Sequence, residues 1–595
     1  MTLKFPSNFS LTDSFKLTGS THDKIMSPED TIKIFKQRSK SANLEILQQT
    51  RRIDNNRLGI PVYFSICTEK AETILNTKKQ MGKGATPALA EASAIMELVE
   101  RFNIYSFINN YNCNNNNKEF INTSYSKVKK QAIPFELIAE SVGDHLSLRK
   151  MEKNEKIFSM LNLNWIKGYN ITKKKEMLIP VDWFFMINEF NGTSAGNSNE
   201  EAICQGACEV IERHVSAIIA EKKPELPYIN PESLTNPDTK HLIKKFTDAG
   251  IKLYINDFTL GTGIPSIGVL AFDPSTFPHT SEIVWTAGTA TSPDKALSRA
   301  LTEVAQLAGD FNTASNYLAS GLPKFKKIEQ ADFITIPYEN KTGRMINLED
   351  MPDISDKNIK NEILGIAQIM ENLGFEVITI DITNPDLKIP GFYTLIPGTQ
   401  FRERAQNSSV AMFSAKHIFE NNPPRNAEIK LEEMSEILEN RYYIKFYQGL
   451  CQLALSHPEK ALEYMEAAIE LEPAVQDIPT IYSYTGVCLK EMGKYKQALE
   501  ILKKGINKDQ DRDDIYNLMG YCNFMLKRHT ESISCFEKVL ELKPGSGIDH
   551  ASIASNYREL GNTKKAIEYY EMALLLDPSL DFAKENLKKL KNKRI

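Results

Sequence analysis

The chain has 595 residues, a formal net charge of −4, 42% hydrophobic and 25% charged residues. That length exceeds what one hydrophobic core supports, so two or more domains are expected. The composition is that of an ordinary soluble globular protein, and the slightly acidic balance excludes the basic footprint of a nucleic-acid binder.

No apolar run reaches membrane-spanning length; the best, Ile179 to Ile187, is short and contains Asp182. No membrane partner is therefore expected. Met1 to Ser10 lacks the charged and apolar regions of a secretory signal. Eight cysteines without a C-x-x-C spacing point to reduced thiols and a cytoplasmic location.

Residues 1 to about 56 read as polar and partly helical. Ser27 suits an N-cap, Pro28 the first helical position, and Glu29 and Asp30 the first turn. Lys24 and Thr31 flank this start. Ile60 to Cys67 is β-branched and aromatic, a strand. Gly82-Lys83-Gly84 then leads into a helix, where glycines let backbone N–H groups approach a phosphate, although the P-loop spacing is absent. On that helix Ser93, Glu97, Glu100 and Arg101 fall at i, i+4, i+7 and i+8, one polar stripe. Ala94, Ile95, Met96, Leu98, Val99 and Phe102 cover most of the remaining circumference. A helix so apolar is buried on most sides, and buried carboxylates are costly unless paired or bound to metal.

Residues 109 to 118 are low-complexity and read as a loop tip. A second β-rich region ends with the run from Pro180 to Ile187. Asn191 to Asn197 forms a second glycine loop before a second polar stripe. Here Glu209-Val-Ile-Glu212-Arg213 repeats Glu97-Leu-Val-Glu100-Arg101, with Glu201 and Gln205 two turns and one turn earlier. Gly84 precedes Glu97 by the spacing that separates Gly196 from Glu209, which suggests an internal duplication. Cys204 and Cys208 on this helix read as small core thiols. Strand-like runs follow at 251–257, 264–273 and 282–290. A third acidic helix at about 293–309 aligns Arg299, Glu303 and Gln306. A helix at 356–373 and strands at 375–381 and 392–396 complete an α/β (α+β) domain of about 400 residues.

One E-x-x-E-R alone reads as an exposed helix face with i,i+4 ion pairs. Two near-identical copies behind glycine loops favour a site. Glu97, Glu100, Glu209, Glu212 and Glu303, with Glu201 as a sixth, are hard oxygen ligands suited to Mg²⁺, which commonly also takes phosphate oxygens. Arg101, Arg213 and Arg299 would clamp those phosphates.

After about residue 425 the pattern is helical only, with a linker helix at 426–441. A period of 34 relates Gly486 to Gly520 and Pro544 to Pro578. Gly493 and Gly561, and Ala498 and Ala566, lie two periods apart. Four tetratricopeptide repeats are expected at 442–475, 479–512, 513–546 and 547–580, followed by a capping helix to Ile595. Such a stack presents a concave surface to a peptide or protein.

In these motifs the sequence resembles the YcaO family, ATP-dependent enzymes that activate peptide backbone amides. The resemblance rests on Ser93/Glu97/Glu100/Arg101, Asn197/Glu201/Glu209/Glu212/Arg213 and Arg299/Glu303, and it spans residues 20 to 400. It implies ATP and Mg²⁺ as cofactors. The six glutamates would hold Mg²⁺, and Ser93, Arg101, Asn197, Gln205, Arg213 and Arg299 would serve ATP. Lys24 and Thr31 fall where the family has a lysine and a serine near ATP. The implied reaction is phosphorylation of an amide oxygen in a peptide or protein substrate, leading to a thioamide or related modification. Ring-forming members commonly end in P-x-P-x-P, whereas this chain ends Leu590-Lys-Asn-Lys-Arg-Ile595. The layout resembles stand-alone members with C-terminal repeats, which are linked to methylthiolation of ribosomal protein S12. A second reading is an ATP-binding accessory protein that supports a partner such as the S12 methylthiotransferase. A partner protein is expected on the repeats, and a homodimer is left open. No general base stands out: His214 and His22 each read as structural.

Overall fold

The computed structural model describes residues 9–17, 23–113, 120–144, 146–312, 322–401, 408–543 and 545–592. Pro544 and His22 lie outside them. The chain divides into two compact units, residues 1–146 with 162–408, and residues 147–161 with 409–595.

The first unit is mixed α/β, with three sheets among the described residues. One is a three-stranded antiparallel sheet of Leu47–Arg52, Val62–Cys67 and Lys79–Lys83. A second carries the antiparallel meander Lys252–Asp257, Ser266–Phe272 and Val284–Thr289. In the third, Gly391–Leu395 pairs with Ile378–Asp381 on one side and Thr193–Ala195 on the other.

Each sheet feeds one strand directly into one acidic helix. Lys79–Lys83 leads into Pro87–Cys113, Thr193–Ala195 into Asn199–Lys222, and Val284–Thr289 into Pro293–Ala308. The repeated loop-and-helix unit expected twice therefore has a third occurrence. Glycine lets each helix lie tight on its sheet. A Cβ on Gly82 would stand 2.0 Å from Ala94 N, one on Gly288 2.3 Å from Ala296 O, and one on Gly206 2.7 Å from Gly192 O. The glycines of the first loop thus serve strand–helix packing. Gly84, like Gly82, faces its own helix, at Leu89 and Ala90. Ser198 caps the second helix, accepting from Glu201 N, and Pro293 opens the third.

Some elements differ from expectation. The run after Pro180 is not strand: the strand Lys175–Pro180 ends there and Val181–Asn188 is helical. Val181, Phe184 and Ile187 are buried at helical spacing, and Asp182 turns to accept from Asn164 N at 2.8 Å. The first acidic helix continues to Cys113, through part of the stretch read as a loop, and 114–119 lie outside the described residues. Leu47–Arg52 is an edge strand with four exposed residues, so it carries no alternating apolar signal.

The second unit has no strand among its described residues, and its longer segment begins at Ser409, ahead of the change expected near 425. It includes the helices Leu148–Phe158, Val410–Glu420 and Pro424–Ile437, with Lys153 Nζ donating to Ile437 O at 3.2 Å. Four helix pairs follow, Tyr442–Ala454 with Pro458–Glu470, Ile478–Glu491 with Tyr495–Ile506, Asp513–Met525 with His529–Leu542, and Gly547–Glu559 with Thr563–Leu576. Asp581–Asn592 caps them. The repeating small residues are contact points: Gly486 sits under Leu502 and Gly520 under Phe536, and Ala461, Ala498 and Ala566 are fully buried. No helix among the described residues is long and apolar enough to cross a membrane.

Two stability tests follow from this packing. Gly82→Ala should lower stability by about 2–3 kcal/mol, because its Cβ meets backbone that cannot yield. Gly365→Ala, with nothing within 4 Å of its Cβ inside the helix Ile359–Asn372, should raise stability by up to about 1 kcal/mol. Denaturant midpoints of the two variants read the contrast. In the second unit, burial and then Lys430 hold His417 at about 4 against its ordinary 6.5. Its folded-state value lies below the unfolded one, so its contribution is complete above pH 6.5 and is lost as pH falls toward 4. The loss is about 3 kcal/mol. Urea unfolding followed by circular dichroism should show a shallower acid limb in His417→Gln.

Candidate functional site

The three acidic helices bring their polar stripes together. On the first, Ser93, Glu97, Glu100 and Arg101 are half-buried while Ala94, Ile95, Leu98, Val99 and Phe102 are buried. The side chains therefore look inward to a confined space. Arg101 lies between its own two acids, 2.9 Å from Glu97 Oε1 and 3.1 Å from Glu100 Oε1. Thr193, from the strand ahead of the second helix, donates to Glu100 Oε1 at 2.6 Å.

On the second helix Arg213 approaches Glu209 at 3.6 Å. Glu212, 8% exposed, accepts from Thr289 N at 2.9 Å, and that residue ends the strand feeding the third helix. Arg299 of the third helix donates to Gln205 Oε1 at 2.7 Å and stands 3.9 Å from Glu212. Glu303 pairs with Lys83 from the strand ahead of the first helix. Backbone, lysine and arginine thus stitch all three helices to one another.

A second group adjoins this one. Glu201, 3% exposed, accepts from Ile25 N at 2.6 Å and from Asn197 N and Nδ2 at 2.9 and 3.0 Å. Thr31 donates to Asn197 Oδ1 at 3.0 Å. Lys24 reaches the same place: burial pushes its ammonium down, Glu201 and Asp23 outweigh that, and the net pKa lies above the ordinary value. Ser93 Oγ accepts from Lys83 N at 3.4 Å.

The electrostatics are those of a crowded anionic site held by cations. Burial first, then Glu97, drive the Glu100 carboxyl well above its usual range, with Glu209 adding to the push against Arg101. Burial likewise raises Glu209, and Arg213 and Arg101 only partly offset it. Burial and Arg299 bring Lys83 down to about 8, against the pull of Glu212 and Glu97.

These residues fit a divalent cation with a polyanion. The donors are hard carboxylate oxygens, and burial lifts two of them, Glu100 and Glu209, beyond what the neighbouring arginines offset. Arg299 Nε is buried with no hydrogen-bond partner, a donor suited to an incoming anion. Among the described residues no three acids are gathered as a preformed metal cage. Each turns instead to a lysine, arginine or backbone partner, as mutual repulsion requires. Glu201 differs from the other five in having three N–H donors already on its oxygens.

The chain matches the family described as YcaO cyclodehydratase, ATP- and Mg²⁺-binding, over residues 81–400, more than half its length. The chain belongs to the YcaO family. Its cofactors are accordingly ATP and Mg²⁺. Residues 513–546 and 550–580 match the tetratricopeptide repeat. An uncharacterized protein of Methanothermobacter thermautotrophicus is 24% identical over 400 residues, covering 64% of this chain and 95% of the relative. The ribosomal protein S12 methylthiotransferase accessory factor YcaO of Escherichia coli is 29% identical over 211 residues, 33% of this chain and 35% of that one. A solved heterocyclase in complex with substrate and cofactor shares the fold, with a TM-score of 0.53 at 20% identity over 66% of this chain. This chain spans 55% of that heterocyclase.

Sequence reasoning gave no role of its own to Lys83 between its two glycines, nor to Thr193 and the Thr289 amide. The signal for Lys83 was its place at the end of a strand directly before the motif helix. His214 is structural here: its Nδ1 accepts from Gln400 N at 2.9 Å and its ring meets Phe375 edge-on. Cys208 packs in the core with Ile359 and Ile363, and Cys204 against it.

Because Glu100 and Glu209 have folded-state pKa values raised above the unfolded ones, their contribution to stability is complete at low pH and lost as pH rises. The charged forms of both strain the ligand-free protein. Glu100→Gln and Glu209→Gln should therefore raise the neutral-pH melting temperature. Each should also weaken Mg²⁺-dependent nucleotide binding by about a hundredfold or more. Calorimetry without ligand and titration with a non-hydrolysable ATP analogue check the two halves.

Proposed function

We propose that this YcaO protein is an ATP- and Mg²⁺-dependent enzyme that phosphorylates a backbone amide oxygen of a peptide or protein, leading to a thioamide or related modification. The observation that carries the reading is the meeting of Glu97, Glu100, Glu209, Glu212 and Glu303 with Arg101, Arg213, Arg299 and Lys83 in one half-buried site. Phosphoryl transfer needs positioning and charge neutralisation more than a covalent protein nucleophile. ATP supplies the phosphoryl group that makes an amide oxygen a leaving group, and Mg²⁺ supplies compact positive charge.

We assign the five glutamates to Mg²⁺. Arg101, Arg213, Arg299, Lys24 and Lys83 are assigned to phosphates, where guanidinium forks match phosphate oxygens. Ser93, Asn197, Gln205 and Thr31 supply neutral hydrogen bonds around the nucleotide. Glu201 orders Asn197 and the segment carrying Lys24 through three N–H donors on its two oxygens. A sulfide nucleophile would add to the activated carbon as phosphate departs, giving the thioamide. Described cysteines are free thiols, which supports a reducing, cytoplasmic setting.

The repeats are proposed to recruit the substrate or a partner enzyme. The name of the Escherichia coli relative supports a second reading, an ATP-binding accessory protein for a methylthiotransferase. Phosphate release separates the two. Turnover stimulated by a candidate peptide supports the enzyme, whereas nucleotide binding without turnover, with any peptide or partner, supports the accessory role.

Glu212→Gln should abolish ATP turnover in a folded protein, a fall of about a hundredfold or more; normal turnover would remove the Mg²⁺ assignment. Truncation after Asn440 removes the four helix pairs and leaves the helices Val410–Glu420 and Pro424–Ile437. It should preserve nucleotide affinity and lose partner capture in a pull-down.

A further inference from the structure

The segment Thr12–Leu17 is moored at every other residue. Thr12 N and Oγ1 donate to Glu200 Oε1 at 2.7 and 3.0 Å. Ser14 Oγ meets Ser198 Oγ at 2.9 Å, and Ser14 N donates to Asn358 Oδ1 at 2.9 Å. Lys16 Nζ reaches Glu362 Oε1 at 2.5 Å. The next residue, Leu17, donates its N–H to Lys24 O at 2.9 Å, and Ile25 N is held by Glu201. The peptide unit joining Lys24 to Ile25 is thus held at both its oxygen and its N–H.

Glu362 is the unusual member. It lies far from the motif helices in sequence, on Ile359–Asn372, and is 2% exposed. Besides Lys16 it accepts from Thr291 Oγ1 at 2.6 Å and Asp356 N at 3.2 Å. Thr291 immediately precedes the cap of the third acidic helix, which carries Arg299 and Glu303. All three donors fall on Oε1; a buried carboxylate is retained at a desolvation cost, and removing its partners is strongly felt. Here one carboxylate oxygen ties the segment Thr12–Leu17, which holds Lys24 O through Leu17 N, to the start of the helix that presents Arg299.

We propose that Glu362 is a positioning residue, which holds Lys24 and Arg299 in register for a nucleotide's phosphates through Lys16 and Thr291. This rests on the reading of Lys24 and Arg299 as phosphate-contacting groups. Glu362 touches neither phosphate nor metal, so it acts on how the nucleotide is held and leaves the charge of the site unchanged.

The test uses the full chain with Lys16→Met, Thr291→Val, Thr291→Ser, Glu362→Gln and the Lys16→Met/Glu362→Gln double variant. Affinity for a non-hydrolysable ATP analogue with Mg²⁺ is measured, together with KM for ATP and kcat. The expected result is an affinity loss of about tenfold in Lys16→Met, Thr291→Val and Glu362→Gln, with kcat at saturating ATP within about twofold of the parent. The double variant should be no worse than the poorer single, since both remove one link. Thr291→Ser, which keeps the hydroxyl, should restore affinity. Hydrogen exchange at Leu17 and Ile25 should speed up in the weakened variants. Unchanged affinity with only a lower melting temperature, or losses that add independently, would overturn the proposal. If Glu362→Gln does not fold, Thr291→Val against Thr291→Ser decides. A parent protein that binds no nucleotide would remove the reading of the whole site. Binding by the parent with normal affinity in the variants removes this inference alone.

Discussion

The structure depends on holding like charges close together away from bulk water. Glu97, Glu100, Glu209, Glu212 and Glu303 come from three helices, and repulsion among them would drive the helices apart. What opposes it is a matching set of cations in fixed places: Arg101 across Glu97 and Glu100, Arg299 near Glu212, and Lys83 on Glu303. The balance is incomplete, since burial still lifts Glu100 and Glu209 above the ordinary carboxyl range. A site with carboxylates buried at a cost and an arginine donor lacking an acceptor suits a cation and an anion together. That is the requirement of a metal-bound nucleotide.

Holding such a site needs helices that cannot drift. Each acidic helix is welded to its own sheet by a glycine contact too close for any side chain, at Gly82, Gly206 and Gly288. The helix starts are fixed by Ser198, by Pro293 and by Glu201's own hydrogen bonds. Around these, aliphatic side chains fill the remaining helix faces, as with Ile95, Leu98 and Val99 on the first. The polar stripe is thus an exception cut into an apolar surface, and packing supplies the stiffness that electrostatics would otherwise undo.

The helical unit answers a different need. Its repeats bury alanine and glycine between paired helices and leave side chains such as Tyr484, Tyr521 and Met525 over a third exposed. Such a stack is stable through neighbour packing and free to vary on its outer residues.

Spacing alone determined much of this. The stripe of Ser93, Glu97, Glu100 and Arg101, its copy at Glu209–Arg213, and the period of 34 follow from residue types and helical geometry, so they are legible without a fold. The apolar helix after Pro180 and the edge strand Leu47–Arg52 were not, because short apolar runs suit either element and an exposed edge has no inward face to mark it. Tertiary structure alone decided which distant groups meet. That Lys83 answers Glu303, that Glu201 meets Ile25, and that Glu362 joins Lys16 to Thr291 are contacts between residues 71 to 346 apart in the chain. Local periodicity states which face of a helix is polar. It holds no information about what stands opposite, because that is set by how the sheets stack.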